Sequence, residues 1–176
     1  RFIALMGGGF VLAAGASFGT FAATRAPSKA LLPWERAGSL YQEPRQRALS
    51  YAILAPNPHN RQPWLVDLST EDQVTLYVDT EKLLPHTDPL NRQITVGLGC
   101  FLEVMVMAAT EQGYRVELTL FPQGSDAAGL TKAPVATAKF VQDTSVAPDP
   151  LFAHVMQRRT LKEPFDLTKP VPQSAL

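Results

Sequence analysis

From Asn91 to Gln112 the chain reads NRQITVGLGCFLEVMVMAATEQ, and Ile94, Leu98, Phe101, Leu102, Met105 and Ala109 recur at the spacing of a helix. Val96, Val104 and Val106 put apolar residues on its other sides, so the pattern predicts a helix buried at the centre of something larger. Gly113 supplies its stop. Beyond it, YRVELTLFP alternates. Tyr114, Val116, Leu118 and Leu120 fall on one face, and Arg115, Glu117 and Thr119 on the other, as in a half-buried strand. APVATAKFVQD offers another strand after a Gly-rich turn. Upstream, WLVDLS and VTLYVDT are β-rich runs joined by TEDQ, which predicts an antiparallel hairpin. PRQRALSYAIL, opened by Pro44 and stopped by Pro56, predicts a helix whose apolar face includes Ala48, Leu49, Tyr51 and Ala52. DPLFAHVMQRRT predicts a short helix that ends in a basic pair. The order helix, hairpin, long helix, strand, strand, helix indicates an α+β fold, an antiparallel or mixed sheet packed on a long buried central helix.

Composition narrows the function more than the fold. The chain has 176 residues, 45% hydrophobic and 18% charged, enough for one core of ordinary size. Sixteen basic residues balance sixteen acidic ones, and no stretch gathers the Lys and Arg that a phosphate backbone requires, which excludes a nucleic-acid partner. The sole cysteine, Cys100, cannot close an internal disulfide and reads as a small buried hydrophobe of the long helix. His86 and His154 lie far apart with no neighbouring ligand pattern, so a metal site is not expected.

Residues 1–24 differ from the rest. No charge occurs between Phe2 and Thr24, and the stretch is apolar but rich in Gly and Ala. Arg1, the apolar middle and the small residues of FAAT have the order of a secretory signal, and RFIALMGGG resembles the tail of a twin-arginine (Tat) export signal. The alternative is a membrane anchor over residues 2–24, since the length just spans a bilayer. The expectation is an exported, periplasmic protein, or one held to the membrane through this segment alone. Residues 25–44 form a connector punctuated by Pro27, Pro33 and Pro44, with a helical turn around Glu35 to Tyr41.

One loop carries unusual chemistry. LAPNPHNRQPW, Leu54 to Trp64, sets two asparagines, a histidine, an arginine and a glutamine among three prolines. Proline fixes its own φ and restricts the residue before it, so the segment has little freedom to lose when a polar ligand docks. Trp64 reads as a core anchor for the hairpin.

APNPHNRQPW resembles the loop of nitroreductase-type FMN oxidoreductases, where Ala-Pro-Ser, two variable positions, Asn, one more and Gln-Pro-Trp lead from a helix into a strand. QRRTLKEPF is similar to the second family element, Arg-Arg-Ser/Thr followed two residues later by a basic residue. In ordinary nitroreductases the arginine element comes first. Here it comes last, which resembles the tandem Acg-type flavin proteins, in which two nitroreductase-like halves are fused and replace the usual homodimer. Residues 45–150 would then be the first half, and residues 151–176 the start of a second that lies mostly outside this chain, with which the first forms an intramolecular pseudo-dimer.

The resemblance implies an FMN site. Arg158, Arg159 and Thr160 would serve the phosphate and ribityl end, because guanidinium groups bind phosphate through paired donors, and Lys162 would add a point charge. Asn60 and Gln62, each donor and acceptor, would match a ring edge that presents N–H beside C=O. Pro56, Asn57 and Pro58 would press their backbone on the ring, with Asn57 standing where relatives carry a small hydroxyl residue. No Arg-Arg-Ser/Thr element occurs between Lys29 and Arg47, so one FMN per full-length chain is expected. The implied partners are a small-molecule electron donor and an acceptor such as a nitroaromatic or a quinone; no catalytic residue is assigned. A non-catalytic FMN store of the Acg type is the alternative, and an exported interaction domain without cofactor a third. Taken singly, the residues have plainer readings: the arginines as charges at a helix end, Asn60 as a tie within its own loop.

Overall fold

The computed structural model describes residues 20–21, 28–125, 129–164, 166–170 and 172. The export or anchor segment lies almost wholly outside the described residues, as do Phe165 and the centre of the turn before the last strand.

Among the described residues four strands form one antiparallel sheet: β1 (Trp64–Asp67), β2 (Gln73–Val78), β3 (Tyr114–Leu120) and β4 (Ala136–Gln142), in the order β1-β2-β4-β3. Every pairing is antiparallel, so the mixed alternative falls away. The hairpin closes with Trp64 opposite Val78 and Asp67 opposite Thr75, and β3 lies beside β4 with Val116 opposite Phe140. Helix α3 (Arg92–Thr110) lies against the sheet, and helix α2 (Pro44–Ala52) packs on α3. The core collects Val74, Leu76, Ala138 and Phe140 from the sheet, Ile94, Leu98, Phe101 and Met105 from α3, and Ala48 and Ala52 from α2.

By length and composition α3 would also cross a membrane, but eight of its residues, Ile94 to Ala109, are buried in this core. It is not buried all round. Val96 is 61% exposed and Glu103 is open to solvent, because within the described residues α3 has packing partners on one side only. Leu118 and Leu120 of edge strand β3 are likewise exposed, although their alternation predicts a covered face.

Local chemistry fixes the helix ends. Asn91 takes left-handed backbone at the start of α3 and caps nothing with its side chain; buried Asp88 does so instead, accepting the Ile94 N–H at 2.9 Å. At the start of α2, Glu43 accepts the backbone N–H groups of Arg45 and Gln46 and pairs with the Arg45 guanidinium at 2.8 Å. Arg45 in turn donates to Leu68 O, Thr70 O and Gln73 O, which ties α2 to the hairpin turn. Burial works against the Glu43 charge, but the hydrogen bonds from Arg45 and Gln46 outweigh it and hold the carboxyl below its ordinary range. A carboxyl lowered by folding stabilises fully above its unfolded pKa, and that contribution is lost as pH falls through the folded value. Glu43→Gln should therefore cost about 1 kcal/mol near neutrality, the usual worth of an N-cap, with the deficit shrinking in acid; urea melts across pH measure it.

The connector is more ordered than its prolines suggest. Helix α1 (Ser28–Arg36) replaces the expected turn near Glu35 and contains Pro33. Proline removes one hydrogen bond from a short surface helix, where water can take the orphaned carbonyl. Gly38 ends it with φ +72°, and a Cβ there would collide with the Tyr51 ring; its N–H donates to Ser50 Oγ at 2.8 Å. The segment after β4 also differs. It is a 3-10 helix, Pro150–His154, that ends before the basic pair instead of carrying it.

Candidate functional site

The loop after α2 folds into a short 3-10 turn, Pro58–Asn60, and then enters β1. Three of its residues hold left-handed backbone: His59 (φ 51°), Asn60 (φ 52°) and Gln62 (φ 49°). Asn and His tolerate that region better than most residues, whereas Gln does not, so the shape is strained and held by its surroundings. Asn57 supplies part of the hold. Its Oδ1 accepts the Gln62 N–H at 2.8 Å and its Nδ2 donates to Ala55 O at 3.2 Å. Gly97 of α3 supports the loop from below: a Cβ at Gly97 would lie 3.1 Å from Pro58 Cδ and 3.3 Å from Asn57 Cβ. Trp64, the next fixed point, packs on Phe101 with ring centroids 5.0 Å apart, as the core-anchor reading expects.

A cleft of about 760 Å³ opens above this loop. Pro56, Asn57, Asn60 and Gln62 line it from one side, and Arg158, Thr160 and Lys162 from the other, although about a hundred residues separate the two segments. Arg158 links them directly, donating to Leu54 O at 2.9 Å, and lies 3.4 Å from Thr160 Oγ1. Gln62 Nε2 donates to Asn60 Oδ1 at 3.2 Å, so the two exposed amides sit side by side. The volume falls within the range of small-molecule and cofactor pockets.

Arg159 is placed elsewhere. Its guanidinium is not among the groups that line the cleft; it donates to Met156 O and Arg158 O and rests 4.7 Å from the centroid of the Trp34 ring. Trp34 and Pro33 of α1 form a further wall of the cleft. Periodicity gave no reason to bring the connector here. Behind the Pro56–Pro58 ridge lies a second groove of about 630 Å³, lined by Arg92, Val96, Gly97 and Cys100 of α3 and by Thr160. Cys100 is therefore only half-buried, and not the covered core residue its pattern suggests. His59 lines the first cleft, and among the described residues no three His, Cys, Asp or Glu side chains gather as a metal site.

Fold and cleft together define an α+β protein in which an amide-bearing loop and an arginine-bearing segment face one pocket. Comparison with known proteins gives a distant nitroreductase-like relationship. The chain is 29% identical over 96 residues, 54% of its length and 29% of the relative's, to a Mycobacterium tuberculosis protein named "Putative NAD(P)H nitroreductase acg". It is also 29% identical over 126 residues, 69% of its length and 35% of the relative's, to "Uncharacterized protein Rv3127" of the same organism. The chain thus spans about a third of the length of the curated relatives it matches. No family model matches.

Proposed function

We propose that the protein is an FMN-binding oxidoreductase of nitroreductase type, with residues 45–150 as one nitroreductase-like half and Arg158 near the opening of a second. The observation that carries this reading is the convergence of the Asn60 and Gln62 amides with Arg158, Thr160 and Lys162 on one cleft. The donor set suits the cofactor. A dianionic phosphate matches the guanidinium, ammonium and hydroxyl at one end, a planar ring edge matches two neighbouring amides at the other, and the proline ridge gives the ring a stiff surface. When bound, FMN supplies two-electron redox chemistry, while the protein supplies binding and orientation.

In this reading one FMN serves each full-length chain, since the first half carries no Arg-Arg-Ser/Thr element between Lys29 and Arg47 and its loop is completed by the arginine element that opens the second. Electrons pass from a small-molecule donor to an acceptor such as a quinone or nitroaromatic. The apolar segment 2–24 directs the protein out of the cytoplasm through a Tat-type signal or holds it at the membrane, where reduced nicotinamide is not the expected donor. One observation favours a second reading, an FMN store: helix α1 walls the cleft with Trp34 and would slow exchange of a bound ring with solvent.

The visible spectrum of the full-length protein tests the proposal, followed by anaerobic titration with NADH and with dithionite. Flavin absorbance at one FMN per chain, bleached by a donor and restored by a quinone, is the expected result. Resistance to every physiological donor would favour the store. A colourless protein that takes up no added FMN would overturn both.

A further inference from the structure

We propose that Arg61 and Lys82 form a reciprocal clamp that positions the Asn60 and Gln62 amides for the ring end of the ligand; the inference rests on the flavin reading above. Asn60 and Gln62 line the cleft, while Arg61 between them does not. Its side chain runs the other way, Nε donating to Lys82 O at 3.0 Å and Nη2 to Glu81 O at 3.3 Å. Lys82 returns the bond, its Nζ donating to Gln62 O at 3.2 Å. Each segment therefore gives a cation to the other's carbonyls.

The target of the clamp is itself fixed. Asp79 accepts the Glu81 N–H at 3.1 Å, pairs with Lys82 at 3.6 Å, and donates its own N–H to Pro63 O at 2.7 Å. The loop needs such an outside hold. Left-handed backbone at His59, Asn60 and Gln62 is strained, and the Asn57 bonds tie the loop only to itself and to Ala55. A planar guanidinium reaches two successive carbonyls at once, which an ammonium cannot do in the same fixed geometry. Arg61 is thus a positioning residue, acting on the ligand through its two neighbours.

The test compares full-length wild type, Arg61→Ala, Arg61→Lys and Arg158→Ala in titrations with FMN and with riboflavin. Loss of charge-assisted bonds at the clamp predicts that Arg61→Ala weakens both flavins by about tenfold and to a similar degree, with Arg61→Lys restoring little. Arg158→Ala should instead weaken FMN more than riboflavin, since only FMN carries the phosphate. A general loss of fold would raise amide exchange throughout the core and lower the urea midpoint, whereas loss of the clamp should leave the midpoint near wild type and raise exchange over residues 59–62 alone. Flavin affinity unchanged in Arg61→Ala, or a loss confined to FMN, would overturn the clamp. If wild type bound no flavin, the functional reading would fall and a second arm would still judge the clamp: amide hydrogen exchange over residues 59–62 should rise in Arg61→Ala, and unchanged exchange there would refute it.

Discussion

Replacing Arg158 with alanine in the full-length protein should weaken FMN binding by about 30- to 150-fold, the worth of roughly 2–3 kcal/mol for hydrogen bonds to a charged group. The size follows from two roles held by one side chain. Arg158 lines the cleft beside Thr160 and Lys162, where the dianionic end of the cofactor is proposed to lie. It also donates to Leu54 O at 2.9 Å, which draws the arginine segment against the end of the loop that carries the amides. Arg158→Lys keeps the charge but loses the planar fork, so it should recover part of the phosphate affinity and little of that link. Fluorescence titration separates the cases. FMN held by Arg158→Ala as tightly as by wild type would remove the phosphate assignment. Arg159→Ala should do less, because its guanidinium packs on the Trp34 ring and does not itself line the cleft.

Phe101→Ala should cost about 3–5 kcal/mol of folding stability, the range for truncating a fully buried aromatic side chain. Phe101 has no exposed surface and stands midway along α3, with Leu98, Leu102 and Met105 of the same helix also buried. Its ring meets Trp64 at 5.0 Å, so the cavity would open beneath the residue that leads from the amide loop into β1. Two readouts are expected to move together. The urea midpoint should fall, and the tryptophan fluorescence of the native state should change as Trp64 loses its neighbour. Phe101→Leu refills most of the volume and should recover much of the loss. A Phe101→Ala variant as stable as wild type would mean that α3 is not the centre of this core.

The long helix was legible because its apolar residues recur with a period that few other structures share, and the hairpin because β-rich runs flank a polar turn. The connector was harder. Three prolines argue against a helix by local propensity, yet α1 forms, since one lost hydrogen bond at the surface is tolerated when Gly38 closes the turn and donates to Ser50. The basic segment shows the opposite failure. Its spacing suits a helix through the arginines, but only the 3-10 turn Pro150–His154 forms and it stops before them. Arg61 gave no sign at all, for an arginine among asparagines looks like solvent-facing charge until its carbonyl partners at Glu81 and Lys82 are known.

By itself, then, the amino-acid order determined the α+β class, the central helix, the hairpin, and the two short segments in which amide and guanidinium chemistry gather, because each depends on neighbours within a few positions. Only the tertiary structure decided that those segments share a cleft, that Trp34 walls it, that Arg158 lines it while Arg159 does not, and that one side of α3 is uncovered among the described residues. Those outcomes turn on contacts between residues twenty to a hundred positions apart, which no local period encodes.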